Sequence, residues 1–239
     1  MTRLKNAILM FIAGACLSGP AYAQLKDNFE VNVFGAGSWY SMKTYEIGFP
    51  QAATPVSGQF RLDRAWRGGI RAGVYTRGHW SEEFFYSYEP NTLHLIRRTP
   101  PAGSVELPIH VHNYGVTALY YLSDNESAAV RPFLSIGLGG TVYRPTAETR
   151  SFVNDPMRGN LPDVDTSNEL AMNYGVGFKT RFSNWLGFRM DARGFVGRTP
   201  SLGLARHSGD PDATVLPVSG ALNNAEGSAG LIFYFFGKR

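Results

Sequence analysis

The chain has 239 residues, 44% hydrophobic and 18% charged, with 27 glycines, 13% aromatics and a single cysteine. Its formal charge of +4 includes Arg3 and Lys5; without them 21 basic residues face 19 acidic ones, a net of +2 that gives no argument for nucleic acid. One cysteine cannot form an internal disulfide, and no apolar run after the first residues approaches the roughly eighteen of a helical membrane span.

The first residues read "MTRLKNAILMFIAGACLSGPAYA". Arg3 and Lys5 form a positive start, Ala7 to Leu17 an apolar core, and Ala21-Tyr22-Ala23 an A-x-A cleavage site. We read 1–23 as a secretory signal peptide and 24–239 as one β-barrel domain. A lipoprotein cleavage before Cys16 fits less well, because Ala13 stands where leucine is usual.

Eight candidate strands follow, each alternating between two faces. The first, "NFEVNVFGAGSWY", sets Phe29, Val31, Val33 and Trp39 against Glu30, Asn32 and Ser38. The second sets Trp66, Ile70 and Val74 against Arg67 and Arg71, and the third sets Phe84, Tyr86 and Tyr88 against Glu83, Phe85 and Ser87. In the fourth, Val116 to Leu122 alternates, but Leu107, Ile109 and Val111 fall out of phase, so a bulge is expected near Asn113. The fifth opposes Leu134, Ile136 and Leu138 to Arg131 and Ser135. The sixth, "NYGVGFKTRF" with Leu170 and Met172 before it, opposes Tyr174, Val176 and Phe178 to Lys179 and Arg181. The seventh opposes Phe188 and Met190 to Arg189, Asp191 and Arg193, and the eighth Leu231, Phe233 and Phe235 to Ser228 and Tyr234.

Short and long joins alternate strictly. Short turns lie near Arg77-Gly78, at "SDNES" and at "SNW"; long joins span about Ser41–Leu62, Glu89–Glu106, Arg144–Asn168 and Arg198–Glu226. An up-and-down meander gathers the long ones at one end, the habit of outer-membrane barrels with short periplasmic turns. Phe29, Trp80, Tyr120, Phe182 and Trp185 fall near the short-turn end, and Trp39, Tyr40, Tyr86, Tyr88 and Tyr143 near the long-loop end, as two aromatic girdles would. The fold class expected is therefore all-β: an eight-stranded antiparallel up-and-down transmembrane β-barrel with four long extracellular loops.

That fold decides which face is wet. An arginine facing lipid at mid-depth costs roughly 2–4 kcal/mol, so six would overwhelm a stability of about 5–15 kcal/mol. Glu30, Arg67, Arg71, Glu83, Arg131, Lys179, Arg181, Arg189, Asp191 and Arg193 must point inward, where eight strands leave room for little but side chains. We expect a basic, packed lumen in which Glu83 and Asp191 each serve more than one arginine, acting as a structural plug rather than a solute path.

"RPFLSIGLGG", "GVGFKTRFSNWLGFRMDARGFVG" and the closing "AGLIFYFF" resemble the OmpA-like outer membrane protein β-barrel superfamily, which includes the opacity-type porin-like proteins. The resemblance covers the mature chain and leaves no residues for the peptidoglycan-binding domain of larger relatives. It implies an outer-membrane location and a monomer bathed in outer-membrane lipid. It also implies recognition of the terminal strand (Leu231, Phe233, Phe235, then Phe236 and Gly237-Lys238-Arg239) by the barrel-assembly machinery, and an extracellular ligand met through the loops. The fold specifies the activity hardly at all.

Candidate chemistry is sparse. His110 and His112 share a strand face as metal ligands do, but no third ligand is fixed. His207, Ser208 and Asp210 hold the residue types of a lipid-deacylating site in a loop where strand neighbours point apart. Asp155, Asp163, Asp165 and Glu169 lack the glycine and spacing of a calcium loop. No catalytic residue, metal or cofactor is assigned, and no nucleic-acid partner. The reading is a non-enzymatic structural or surface-interaction protein. The alternatives are a lipid-modifying barrel enzyme, a small porin-like channel and a soluble lipid-binding barrel.

Overall fold

The computed structural model describes residues 29–47, 56–76, 79–98, 103–123, 128–153, 164–204, 206 and 220–235. The expected signal peptide lies outside them, as do Asp155, Asp163, His207, Ser208, Asp210 and the residues after Phe235. The strands are β1 (Phe29–Tyr40), β2 (Lys43–Ile47), β3 (Val56–Leu62), β4 (Ala65–Thr76), β5 (Trp80–Arg97), β6 (Gly103–Tyr121), β7 (Val130–Pro145), β8 (Ser167–Arg181), β9 (Leu186–Arg198) and β10 (Ala221–Phe235). One short helix, α1 (Ala147–Val153), follows β7. β1 and β4 to β10 pair antiparallel with their neighbours in sequence, and β1 pairs with β10 to close an eight-stranded up-and-down barrel.

Side chains alternate along every wall strand: in β5, Ser81, Glu83, Phe85, Ser87 and Glu89 are buried while Glu82, Phe84, Tyr86 and Tyr88 are exposed. The inverted pattern, polar within and apolar without, is what the sequence periodicity of the wall strands reflects.

The long joins hold more structure than their composition suggested. β2 and β3 form a hairpin in the first, and β3 extends the sheet along the upper part of β5. The second is nearly all strand, since β5 runs to Arg97 and β6 starts at Gly103. In the third, α1 is capped by Thr146, whose hydroxyl accepts from the Thr149 amide at 3.2 Å. In the fourth, Leu202 adopts φ 52° ahead of Gly203 at 83°. The left-handed leucine costs about 1–2 kcal/mol, and burial of its side chain (1% exposed) offsets it.

The bulge expected near Asn113 is not there. β6 pairs with β5 from Trp80↔Tyr120 to Arg97↔Gly103, and with β7 from Ile109↔Pro145 to Tyr121↔Phe133, without a slip. Leu107, Ile109 and Val111 share the inward face with Asn113 and Thr117, because the interior changes character along its length. Toward the loop end it is apolar: Phe60, Leu62, Leu93, Leu107, Ile109 and Val111 pack with residues of the third and fourth joins. The one-residue slip lies instead on the other edge of β5. β3 reaches Leu62↔Leu93 and β4 resumes at Gly68↔Tyr88, so residues 63–67 face 89–92, one residue fewer, as in a bulge. Asn91 fills the step, accepting from the Asp63 amide and donating to the Asp63 carbonyl, both at 3.0 Å.

Close backbone approach fixes one glycine pair. A Cβ on Gly139 would strike the Tyr114 carbonyl and come within 2.7 Å of the Gly115 Cα, whereas one on Gly35 would meet nothing within 4 Å. Gly139→Ala is therefore expected to destabilise by about 1–3 kcal/mol, and Gly35→Ala to be neutral or mildly stabilising. The temperature at which the compact, unheated gel band is lost measures both; equal behaviour would contradict the crowding.

Candidate functional site

The polar lower part of the interior is the candidate site, and parity along the strands builds it. At the short-turn end Glu30 of β1 pairs with Lys179 of β8, which also donates to the Tyr121 hydroxyl at 2.7 Å. Arg131 and Arg181 rim this end half-exposed, 4.0 Å from the Tyr121 ring and 4.3 Å from the Tyr234 ring. One layer further in, Glu83 accepts from Arg189 at 2.6 Å and from Arg193. Asp191 accepts from Arg189 at 2.7 Å and from Arg193 at 3.1 Å, lies 3.3 Å from Arg71, and is bonded by Ser228.

Arg71 links this layer to the next. It donates to Asn32 Oδ1 at 3.1 Å, to Ser228 Oγ at 3.0 Å and to Glu226 at 3.1 Å. Above it Arg67 donates to Glu226 at 2.6 Å and lies 2.8 Å from a Glu89 oxygen, while the Tyr40 hydroxyl donates to Glu89 at 2.9 Å. The guanidinium planes also lie over aromatic faces: Arg71 sits 3.6 Å from the Phe34 ring and Arg189 4.7 Å from that of Phe133.

The structure places eight of the ten polar residues named from sequence in this interior, with Arg131 and Arg181 at its rim. It corrects the expectation of a basic lumen. Among the described residues, five buried cations (Arg67, Arg71, Lys179, Arg189, Arg193) meet five buried carboxylates (Glu30, Glu83, Glu89, Asp191, Glu226). Glu89 and Glu226, each where a strand meets a long join in the sequence, also point inward, because strand parity continues from Ser87 and Ser228. Charge balance is a physical requirement here, since an unmatched ion in a low-dielectric interior costs several kcal/mol.

Two of the girdle residues named from sequence face the wrong way for that role. Tyr143 is 4% exposed and belongs to the apolar cap, and the Tyr40 hydroxyl sits on Glu89 and Arg67. Both lie at the top of their strands, where inward positions have become apolar. Phe29 is half-buried against Phe235, and Trp39, Trp80, Tyr86, Tyr88, Tyr120, Phe182 and Trp185 are exposed. The acidic loop does not converge among the described residues: Asp165 pairs with Arg150 at 3.1 Å, and Glu169 accepts from Ser167 at 2.7 Å.

Removing one member of the network leaves its partners charged and unmatched. Glu83→Gln is expected to cost about 3–5 kcal/mol, seen as earlier loss of the compact gel band on heating. Adding Arg193→Met, which removes one cation as well, is expected to recover a substantial part; a double variant weaker than the single one would contradict charge matching.

No protein-family model matches the sequence, and no curated protein sequence matches it significantly. Solved structures do. The outer membrane protein OprG from Pseudomonas aeruginosa is similar over 87% of this chain and 96% of its own, at 13% identity and a TM-score of 0.52. AlkL, an outer membrane protein solved by solid-state NMR in DMPC bilayers, is similar over 88% of this chain and 90% of its own, at 12% identity and a TM-score of 0.54. At such identities the likeness is one of fold, and the fold of this chain is that of the small eight-stranded outer-membrane β-barrels.

Proposed function

We propose that the chain is a non-enzymatic integral protein of the outer membrane, exported by residues 1–23, that presents its four long joins to the exterior as a structural or surface-interaction protein. One observation carries this reading. Every wall strand contributes an exposed apolar side chain to a continuous belt: Val33, Ile70, Phe84, Val116, Ile136, Val176, Met190 and Leu231. Soluble monomers rarely expose a contiguous apolar patch beyond a few hundred Å², whereas an outward apolar band is what hydrocarbon requires of a barrel. Trp80, Tyr120, Phe182 and Trp185 below the belt, with Trp39, Tyr86 and Tyr88 above it, suit the two membrane–water boundaries.

The filled, neutral interior supports a plug over a channel. Glu83, Asp191, Arg189 and Arg193 occupy the middle of the lumen, and the apolar cap covers its loop end. We assign outer-membrane lipid as the surrounding partner, the terminal strand with Leu231, Phe233 and Phe235 as the segment read by the assembly machinery, and a monomeric state. An extracellular ligand would be met through the loops.

The expected outcome is a heat-modifiable protein that stays with the outer-membrane fraction through urea extraction, gives no conductance steps in planar bilayers and leaves the lipid A mass spectrum unchanged. Recovery in detergent-free periplasmic extract would overturn the location. Discrete conductance steps would restore the channel, and an altered lipid A spectrum the enzyme.

A further inference from the structure

Outside the barrel, Glu82 of β5 and a run of residues on β6 break the apolar rule. The outward positions of β6 run Tyr120, Ala118, Val116 and Tyr114, then His112 and His110. Arg144 of β7 is the cross-strand partner of His110, and Tyr88 of β5 that of His112. Three side chains able to carry positive charge thus share one outward patch. No aspartate or glutamate holds an outward position at this level on β5 to β8; the nearest on β6 is Glu106, four residues further on. Among the described residues the Arg144 side chain makes no hydrogen bond or ion pair.

The depth of the patch follows from strand geometry. Ten residues separate Tyr120, at the short-turn edge of the belt, from His110. At about 3.3 Å per residue and a tilt of about 40°, that is about 25 Å along the barrel axis, the height of an outward apolar band. The patch therefore lies where hydrocarbon gives way to headgroups on the loop side.

Each histidine ring meets a tyrosine hydroxyl at Nδ1 and turns Nε2 away from it. The Tyr86 hydroxyl is 2.8 Å from His112 Nδ1 and the Tyr88 hydroxyl 2.9 Å from His110 Nδ1. If the hydroxyl donates to a neutral ring, the ring proton sits on Nε2; if the ring is charged, Nε2 is protonated as well. In both of these states Nε2 has a hydrogen to give; the other neutral tautomer, with Nδ1–H donating to the tyrosine oxygen, leaves a lone pair there. A metal would need its lone pair instead, and among the described residues no group of three His, Cys, Asp or Glu is placed to hold one.

We propose that His110, His112 and Arg144 bind the phosphate of an anionic lipid headgroup at the loop-side boundary, with Tyr86 and Tyr88 orienting the rings. The site rests on the outer-membrane reading above. It puts charge-assisted donors, including a planar guanidinium suited to two phosphate oxygens, beside an apolar wall that accepts the acyl chains.

The test uses the purified full chain in detergent micelles, titrated with diphosphoryl lipid A and followed by native mass spectrometry. The wild type is expected to retain the lipid. The triple variant His110→Gln, His112→Gln, Arg144→Gln is expected to bind at least tenfold more weakly, with an unchanged heat-modifiable gel shift. Arg198→Gln, at the exposed end of β9, is expected to bind as the wild type does. Equal retention by the triple variant, or equal retention of dephosphorylated lipid A by the wild type, overturns the site. Inorganic phosphate binding as tightly as the lipid overturns the lipid assignment. Zinc that binds the wild type but not the triple variant, with lipid binding unaffected, gives the patch to a metal instead. A protein that fractionates with the outer membrane and yet fails these arms loses the site and keeps its location.

Discussion

Five carboxylates matched to five cations inside a ring of strands constrain the rest of the molecule. Each buried ion forfeits several kcal/mol of hydration, and mutual attraction repays it only when every partner is present and well placed. The network meets that condition by sharing: Glu83 serves two arginines, Asp191 three, and Glu226 two. The aromatic faces of Phe34 and Phe133 beneath Arg71 and Arg189 absorb what the carboxylates leave over. Because polar groups occupy the inside, apolar residues are left for the outside.

The same molecule reverses this arrangement toward its loop end. From the level of Glu89, where Val111 stands opposite it, the inward positions become Leu93, Leu107 and Ile109, while the outward ones become Thr92, His94, Pro108 and His110. There the barrel has the dry apolar core of an ordinary globular protein, which anchors the joins: Val153 from α1, Leu202 and Leu204 from the fourth join, Phe60 and Leu62 from β3. The site proposed for a phosphorylated headgroup lies at the level where one regime passes into the other.

That reversal also explains what could be read in the sequence and what could not. The eight wall strands were legible because the apolar belt imposes every second residue, and the inward arginines followed from the cost of any other placement. Residues 89–106 read as a join because the alternation inverts there, so Leu107 to Val111 look like a phase error where the strand is regular. Glu89 and Glu226 stand at the edges of the alternating stretches, where strand passes into join, and without them the lumen reads as basic. Tyr143 looked like a girdle residue because an aromatic near a strand end says nothing about which side it faces. The step at 63–67, filled by Asn91, depends on two segments sharing one edge of β5, a relation that no local pattern reveals.

The position of Glu226 ties electrostatics to assembly. It stands on β10, yet the guanidiniums it neutralises, Arg67 and Arg71, stand on β4, with β1 between them. Until the first and last strands zip together, Glu226 is held apart from both guanidiniums, and Arg71 is also held apart from Asp191 of β9. Closing the seam therefore completes the ion pairs of Arg71 in the same step. An intermediate with the sheet complete but the cylinder open would leave Arg71 without either of its carboxylates, and this disfavours a resting place short of closure.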